Sequence, residues 1–425
     1  VTTVIYVIAL ILCAICGAPL FVIIGGLALT LFAAIGVDSQ AVIIEMYRVA
    51  SAPTLIAIPL FTLSGYLLAE SKSPERLVKL SRALFGWMPG GVAIVSLISC
   101  AFFTSFNGAS GVTIIALGGL LYPILTREGY RERFSMGLIT TSGSLGLLFP
   151  PSLPLILYAL VAKVNVNSLF LAGIVPGIFI IVLLSLYSMR AGIKSGVPRE
   201  PFRFGTVWEA FKGAFWIVPL PFIILVGLYG GFFTASEAAA ITAIYVLIVE
   251  TLIYRDLSIR RDIPRIAAQS MVLVGSVLII LGCALGLTNY LVDEQIPMKI
   301  IELMRQFITS KLMFLVVLNV FLLIVGCLMD IFSATIVVVP LIVPIAKEFG
   351  VNPLHLGIIF LTNLEIGYIT PPVGLNLFIS SIRFKRPIPE IYRSTLPFLL
   401  VLIIALIVVT YVPELSLWLP SLFGK

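Results

Sequence analysis

Gly146-Leu147-Leu148-Phe149-Pro150-Pro151 and Gly367-Tyr368-Ile369-Thr370-Pro371-Pro372 write one helix break twice, each time inside very hydrophobic sequence. Proline supplies no backbone donor and crowds the preceding turn, so a continuous helix stops at both places. The breaks are 221 residues apart (371 − 150 = 221). At that offset, without a gap, Gly65 falls on Gly286, Pro123 on Pro344, Gly129 on Gly350 and Pro176 on Pro397. The chain reads as a duplicated membrane domain with a Gly/Pro-broken helix in each half. That pattern points to a site enclosed between two repeats, as in secondary transporters.

Apolar residues make up 60% of the 425, charged residues only 11%, and the mean hydropathy is +1.16. Soluble domains carry roughly one-quarter charged residues, so composition sets this chain apart. Runs long enough to cross a lipid bilayer recur from end to end. They define an all-α polytopic membrane protein and leave no stretch for a soluble catalytic domain. The net charge of +7 does not imply a nucleic-acid partner, because Lys and Arg sit in short loops between apolar runs, as topology signals do. The first residue is Val1, as expected of a trimmed N-terminus or the tail of a fused chain, and no basic segment precedes the first apolar run as a cleaved signal would require. The five cysteines (13, 16, 100, 283 and 327) lie in apolar runs, so Cys13-Ala14-Ile15-Cys16 reads as packing rather than redox or metal chemistry.

Apolar spans are expected at 4–36, 53–71, 134–162, 168–189, 213–232, 236–254, 266–290, 354–382 and 394–418, with Gly17-Ala18-Pro19 as a point where the first can split. Residues 91–124 and 312–346 differ. Each divides into two arms of about fourteen residues, or about 21 Å of helix, short of a ~30 Å hydrocarbon core. Their tips are Thr104–Gly111 and Gly326–Ser333, and both are expected to be re-entrant hairpins. Charge agrees. Lys72, Arg76, Lys79 and Arg82 precede the first hairpin and Arg127, Arg131 and Arg133 follow it, so its flanks share a compartment. Threading onward puts the basic segments 190–212, 255–265 and 383–393 on that same side, which the positive-inside rule makes cytoplasmic. Span 53–71 and its mate 266–290 then run in opposite directions, and the repeats are inverted.

The expected organisation is an N-terminal scaffold region (1–52), a first repeat (53–190), linker and scaffold helices (191–265) and a second repeat (266–425). An amphipathic helix beginning at Ser73-Pro74-Glu75 should lie along the cytoplasmic interface ahead of the first hairpin, with 296–307 as its counterpart outside.

Two tips and two breaks meeting near the midplane leave four pieces of unpaired backbone, which survive at that depth only against protein or a water-filled site. Freed carbonyls and helix C-termini suit a hard cation such as Na+, and helix N-termini suit a carboxylate. Suitable side chains are present. The first tip has Ser105, Asn107 and Ser110, the second Asp330 and Ser333. Thr141, Ser142 and Ser144 precede the first break, and Thr362, Asn363, Glu365 and Thr370 surround the second. Each Ser or Thr has the alternative of simply bonding a neighbouring helix. Asn107, flanked by Gly108, and the intramembrane Asp330 have the stronger claim, since a charge costs roughly 2.5–3.5 kcal/mol at a helix centre. Glu365 reads equally as a functional carboxylate or as an acceptor that steadies the broken helix. Glu237 and Glu250 are expected to be interfacial, and His355, the one histidine, reads as a helix-start residue at a membrane boundary.

The paired hairpins, the Ser105-Phe106-Asn107-Gly108 tip and the two Gly-x-x-x-Pro-Pro breaks resemble the large membrane subunit of tripartite ATP-independent periplasmic (TRAP) transporters, over essentially the whole chain. The resemblance implies the ion-transporter-superfamily fold, with a scaffold and an elevator-type transport domain holding both hairpins. It implies Na+-coupled uptake, across the bacterial inner membrane, of a carboxylate handed over by a periplasmic substrate-binding protein. A small four-helix membrane subunit should accompany it. Sialic acid is the first substrate expected, and a C4-dicarboxylate the alternative. By the same resemblance, one Na+ would sit between Ser105, Asn107 and Gly108 of the first tip and Gly143 and Gly146 of the first break. A second would sit among Gly326, Asp330, Thr362, Gly367 and Thr370, differently held because the second tip lacks the Ser-x-Asn pattern. Substrate would lie between, against Asn107, Ser110, Ser144, Pro150, Ser333, Asn363 and Pro371.

Other classes fit less well. No Gly-x-x-x-x-Gly-Lys-Ser/Thr loop occurs, which disfavours ATP-driven transport by this chain. A channel would predict a continuous pore and usually a ring of subunits. An intramembrane protease would need a Ser–His pair or paired acids, for which His355, Asp330 and Glu365 are the sole candidates.

Overall fold

The computed structural model describes the chain except residues 1–8, 11, 14–17, 37–39, 51–52, 198–200, 231, 297, 300–301, 303–306, 309 and 424–425. Every regular element among the described residues is helical, the form in which a lipid-embedded backbone satisfies its own polar groups. α1 (Leu20–Ala34) starts directly after Pro19, where the first run was expected to split, and α2 (Gln40–Ala50) follows. α3 (Ala57–Glu70) leads to α4 (Ser73–Phe85), the expected amphipathic helix, with Pro74 and Glu75 in its first turn and Leu77, Val78 and Leu80 buried. The first hairpin is α5 (Gly91–Asn107) and α6 (Ser110–Arg127). The first broken helix is α7 (Glu132–Ser142), a 3-10 turn (Leu145–Leu148) and α8 (Leu153–Ala162), bent by 46°. α9 (Val166–Lys194) closes this half.

α10 (Phe204–Ala214), α11 (Pro219–Tyr229) and α12 (Ala235–Ile248) come next, α12 running into a π-helical turn (Val249–Ile253). The second half has α13 (Asp262–Asp293), the hairpin α14 (Lys311–Leu328) and α15 (Ile331–Glu348), the broken helix α16 (Pro353–Gly367) and α17 (Leu375–Phe384), then α18 (Ile388–Tyr411) and α19 (Glu414–Phe423). The starts of α6 and α15 and of α7 and α16 keep the offset of the breaks (331 − 110 = 221; 353 − 132 = 221).

Several expectations need correction. The hairpin arms have 17 or 18 residues, not about fourteen, because each tip is only two residues long; at the first, Gly108 reverses the chain in a left-handed conformation (φ 65°), and at the second, Met329 and Asp330 are extended. At about 26 Å such arms nearly match a bilayer, so length alone does not mark them as re-entrant. Their flanks do. Arg82 Nη2 lies 2.7 Å from Glu128 Oε1 across the base of the first hairpin. Lys311 Nζ donates to Gly350 O at 3.0 Å across the base of the second, where Phe314 also stacks on Phe349. Each hairpin leaves where it entered.

The span expected at 213–232 is not one helix, since α10 turns 65° into α11. The 394–418 span ends at Tyr411 and a separate α19 follows Pro413. α2, too short and polar to read as a span, was not anticipated. Most of 296–307 lies outside the described residues.

The two hairpins enter from opposite ends of shared helices. Glu132, just past the first base, pairs with Arg386 near the start of α18 at 2.7 Å, while His355, just past the second, meets Thr410 O near its end at 3.2 Å. On α9, Gly90 presses on Ser188 and Met189 near the C-terminus and Gly357 on Leu169 near the N-terminus. The repeats are inverted.

Candidate functional site

The first tip is built from close backbone contact and one polar chain. A Cβ at Gly65 of α3 would strike the backbone of Phe106 and Asn107, and one at Gly146 would strike that of Ala101 and Ser105. Asn107 Oδ1 accepts from the Ala109 N–H (2.7 Å) and Nδ2 donates to Thr113 Oγ1 (3.0 Å), which is 2.7 Å from Thr104 Oγ1. Thr104 Oγ1 in turn lies 2.8 Å from Gly143 O in the first break and 2.8 Å from Cys100 O. One hydroxyl carries one proton, so it serves one of these carbonyls at a time. Ser105 Oγ donates to Phe102 O (2.7 Å), and the Ser142 and Ser144 hydroxyls turn back to Ile139 O (3.2 Å) and Thr141 O (3.4 Å). The Thr141 and Ser152 hydroxyls are buried without a hydrogen-bond partner among the described residues.

The second tip repeats the contact with different residues. Gly326, the repeat mate of Ser105, meets Gly367 backbone to backbone. Asp330 caps α15, accepting from Phe332 N (2.9 Å), Ser333 N (3.0 Å) and the Ser333 hydroxyl. Tyr368 Oη accepts from the Ile331 N–H (2.7 Å), and the Gly374 N–H donates to Cys327 O (3.1 Å). Thr362 and Thr370 hydroxyls donate to Ile358 O and Ile366 O, both at 2.7 Å. Asn363 faces away from the tip, donating to Asn319 of α14 (2.7 Å).

Both tips open on one cavity of about 480 Å³, walled on the far side by Leu273, Ser276, Val277 and Ile280 of α13. Gly108, Ser110, Asp330 and Ser333 line it; Asn107, which is buried, and Ser144, Pro150, Asn363 and Pro371 are not among its walls. Ser110, Gly111 and Val112 form a helix start that no side chain caps, whereas Asp330 occupies the equivalent place on α15. Open N–H groups at a helix start favour an anion.

Sequence reasoning missed Asn376, fully buried in α17. Its Oδ1 accepts from Ser110 Oγ (2.7 Å), its Nδ2 donates to Thr140 O (3.2 Å), and its N–H reaches Tyr368 O (3.1 Å). One amide thus joins the first tip, the first broken helix and the second break. The available signal was an amide in the first turn after the second Pro-Pro. Glu250, expected at the interface, is buried and accepts from the Ser73 hydroxyl, because α12 continues through it as the π turn. His355 stands in the first turn of α16, as expected of a helix-start residue, and is buried there, its Nδ1 3.2 Å from Ser416 Oγ. Among the described residues, neither oxygen of buried Glu365 has a hydrogen-bond partner.

The fold is that of a multi-pass, all-helical membrane protein. It matches the solved YdaH transporter of Alcanivorax borkumensis with a TM-score of 0.63 over 88% of this chain and 87% of that one, at 13% identity. The family model described as tripartite ATP-independent periplasmic transporter, DctM component, matches residues 4–415, and the chain belongs to that family, whose members are transporters rather than enzymes. The C4-dicarboxylate TRAP transporter large permease protein DctM of Pseudomonas aeruginosa is 37% identical over 404 residues, covering 94% of this chain and 93% of its own. The isethionate TRAP transporter permease protein DctMQ of Oleidesulfovibrio alaskensis is 32% identical, covering 97% of this chain and 69% of its own. The ectoine TRAP transporter large permease protein TeaC of Halomonas elongata is 30% identical, with 91% of each chain covered.

Proposed function

We propose that this chain is the large permease subunit of a Na+-coupled importer of a small organic acid in the bacterial inner membrane. A periplasmic binding protein delivers the solute, and a small four-helix membrane subunit completes the permease. The observation that carries this reading is the meeting of both hairpin tips and the second helix break (Tyr368 and Leu375) around one cavity, with an uncapped helix start on its wall. One Na+ is assigned to Ser105, Asn107, Gly108, Gly143 and Gly146, where Gly143 O and Cys100 O share a single hydroxyl proton. A second is assigned to Gly326, Asp330, Thr362, Gly367 and Thr370; the threonine hydroxyls there donate backward and keep lone pairs free. The acid binds at Ser110 and Ser333. Each Na+ entering down a potential of about 100 mV contributes about 2.3 kcal/mol toward concentrating the solute.

Movement is of the elevator kind. Thr104 and Asn376 tie the first tip to both breaks with hydrogen bonds, whereas the α13 wall offers mainly apolar side chains, a surface suited to sliding. Sialic acid and C4-dicarboxylates are the acids to test first. Proteoliposomes holding both membrane subunits and the cognate binding protein should take up one of them only with an inward Na+ gradient. Asn107→Ala or Asp330→Ala, inserted normally, should abolish that uptake. Equal uptake with and without Na+ would refute the coupling.

A further inference from the structure

A groove of about 540 Å³ separates α4 from α10, and a second of about 320 Å³ adjoins it at Arg82, Ala83 and Thr206. The walls are basic. Arg76, Lys79 and Arg82 come from α4, and Arg203 from the segment before α10. Arg76 is held by Asp256 and Arg82 by Glu128, but Lys79 and Arg203 are exposed and have no ion-pair partner among the described residues. Among the described residues, Glu209 is the one acid in the walls of either groove. Two exposed aromatic side chains, Trp87 and Phe202, stand in the walls of the second groove.

The position adds a second line of argument. α10 turns 65° into α11, so α10 lies along the surface where α11 enters the apolar layer, and Phe222 and Val226 of α11 are exposed. The basic loops assign this face to the cytoplasm. A phosphate needs cations, interfacial rings flank a headgroup, and acyl chains need an apolar helix leading down from it. All three are adjacent here. A free phosphate would use the cations alone.

We propose that this groove binds the headgroup of an anionic phospholipid, with Lys79 and Arg203 on its phosphate and Trp87 and Phe202 beside it. The lipid braces α4, the helix that leads into the first hairpin.

The test is native mass spectrometry of the purified full chain offered phosphatidylglycerol or phosphatidylcholine. Phosphatidylglycerol should be retained preferentially. Lys79→Gln with Arg203→Gln should weaken that preference by about 25-fold, at about five-fold per basic group near an anionic headgroup. Glu209→Gln should strengthen it. Both positions are exposed, so without added lipid the double variant should melt with the wild type, and millimolar inorganic phosphate should not displace the lipid. The proposal is overturned by equal retention of the two lipids, by a preference that survives the double substitution, by displacement with phosphate alone, or by loss of the lipid once the small membrane subunit is bound.

Discussion

Gly326 and Gly367 meet backbone to backbone, so a methyl group at Gly367, which would strike the Gly326 carbonyl carbon, must push the second tip off the second break. Gly367→Ala should therefore cost about 1–3 kcal/mol as overpacking and lower the melting temperature of the purified protein. Gly275→Ala, with no atom within 4 Å of the added Cβ, should leave it unchanged or slightly higher. Asn376→Ala strands Ser110 Oγ and Thr140 O together; uptake should fall at least ten-fold, as one or two unmet buried hydrogen bonds of about 1–3 kcal/mol each would predict. The residues legible in the sequence were those with a local mark: an amide next to a tip glycine, an acid in an apolar run, glycines beside Pro-Pro. Asn376 was not legible because its partners lie 266 and 236 residues away. Glu250 meets Ser73 across 177 residues, beyond the reach of any spacing rule.

At the scale of elements, α4 is pinned at its start. Arg76 pairs with Asp256 and lies over the Tyr254 ring at 3.8 Å, and the Lys72 N–H donates to Asp256 (3.1 Å). Burial opposes ionisation of Asp256, but Arg76 and the Lys72 N–H outweigh it and hold the carboxyl below its ordinary range. A depressed value means stability that is fully present above the ordinary carboxylate pKa, about 4, and lost as pH falls through the folded value. This contact should thus leave the melting temperature flat from pH 7 to 5 and lower it only in more acid solution. Asp256→Asn should melt lower already at pH 7 and show less of the acid loss. The amphipathic pattern and Ser73-Pro74-Glu75 made α4 legible, but not its anchor. The hairpins were recognised correctly for a reason that proved incomplete. Their arms are longer than the apolar runs suggested, and the shared base contacts, invisible in sequence, are what bring each hairpin back to the side it entered.

The whole molecule was the most legible scale, because a duplication constrains many positions at once. The 221-residue offset of the two breaks reappears in the helix starts, and the loop charges implied the inversion that α9 and α18 display. What could not be read was which unpaired backbone groups meet, since that depends on packing between halves. Inversion has one consequence that can be tested directly. With native cysteines replaced, single cysteines at Trp87 and Arg127, flanking the first hairpin, should both react with a membrane-impermeant maleimide only from the cytoplasmic side. Cysteines at Lys311 and Glu348, flanking the second, should both react only from the opposite side. Reaction of Trp87→Cys and Arg127→Cys from different sides, or of all four from one side, would contradict two inverted re-entrant hairpins and remove the basis for the transport site.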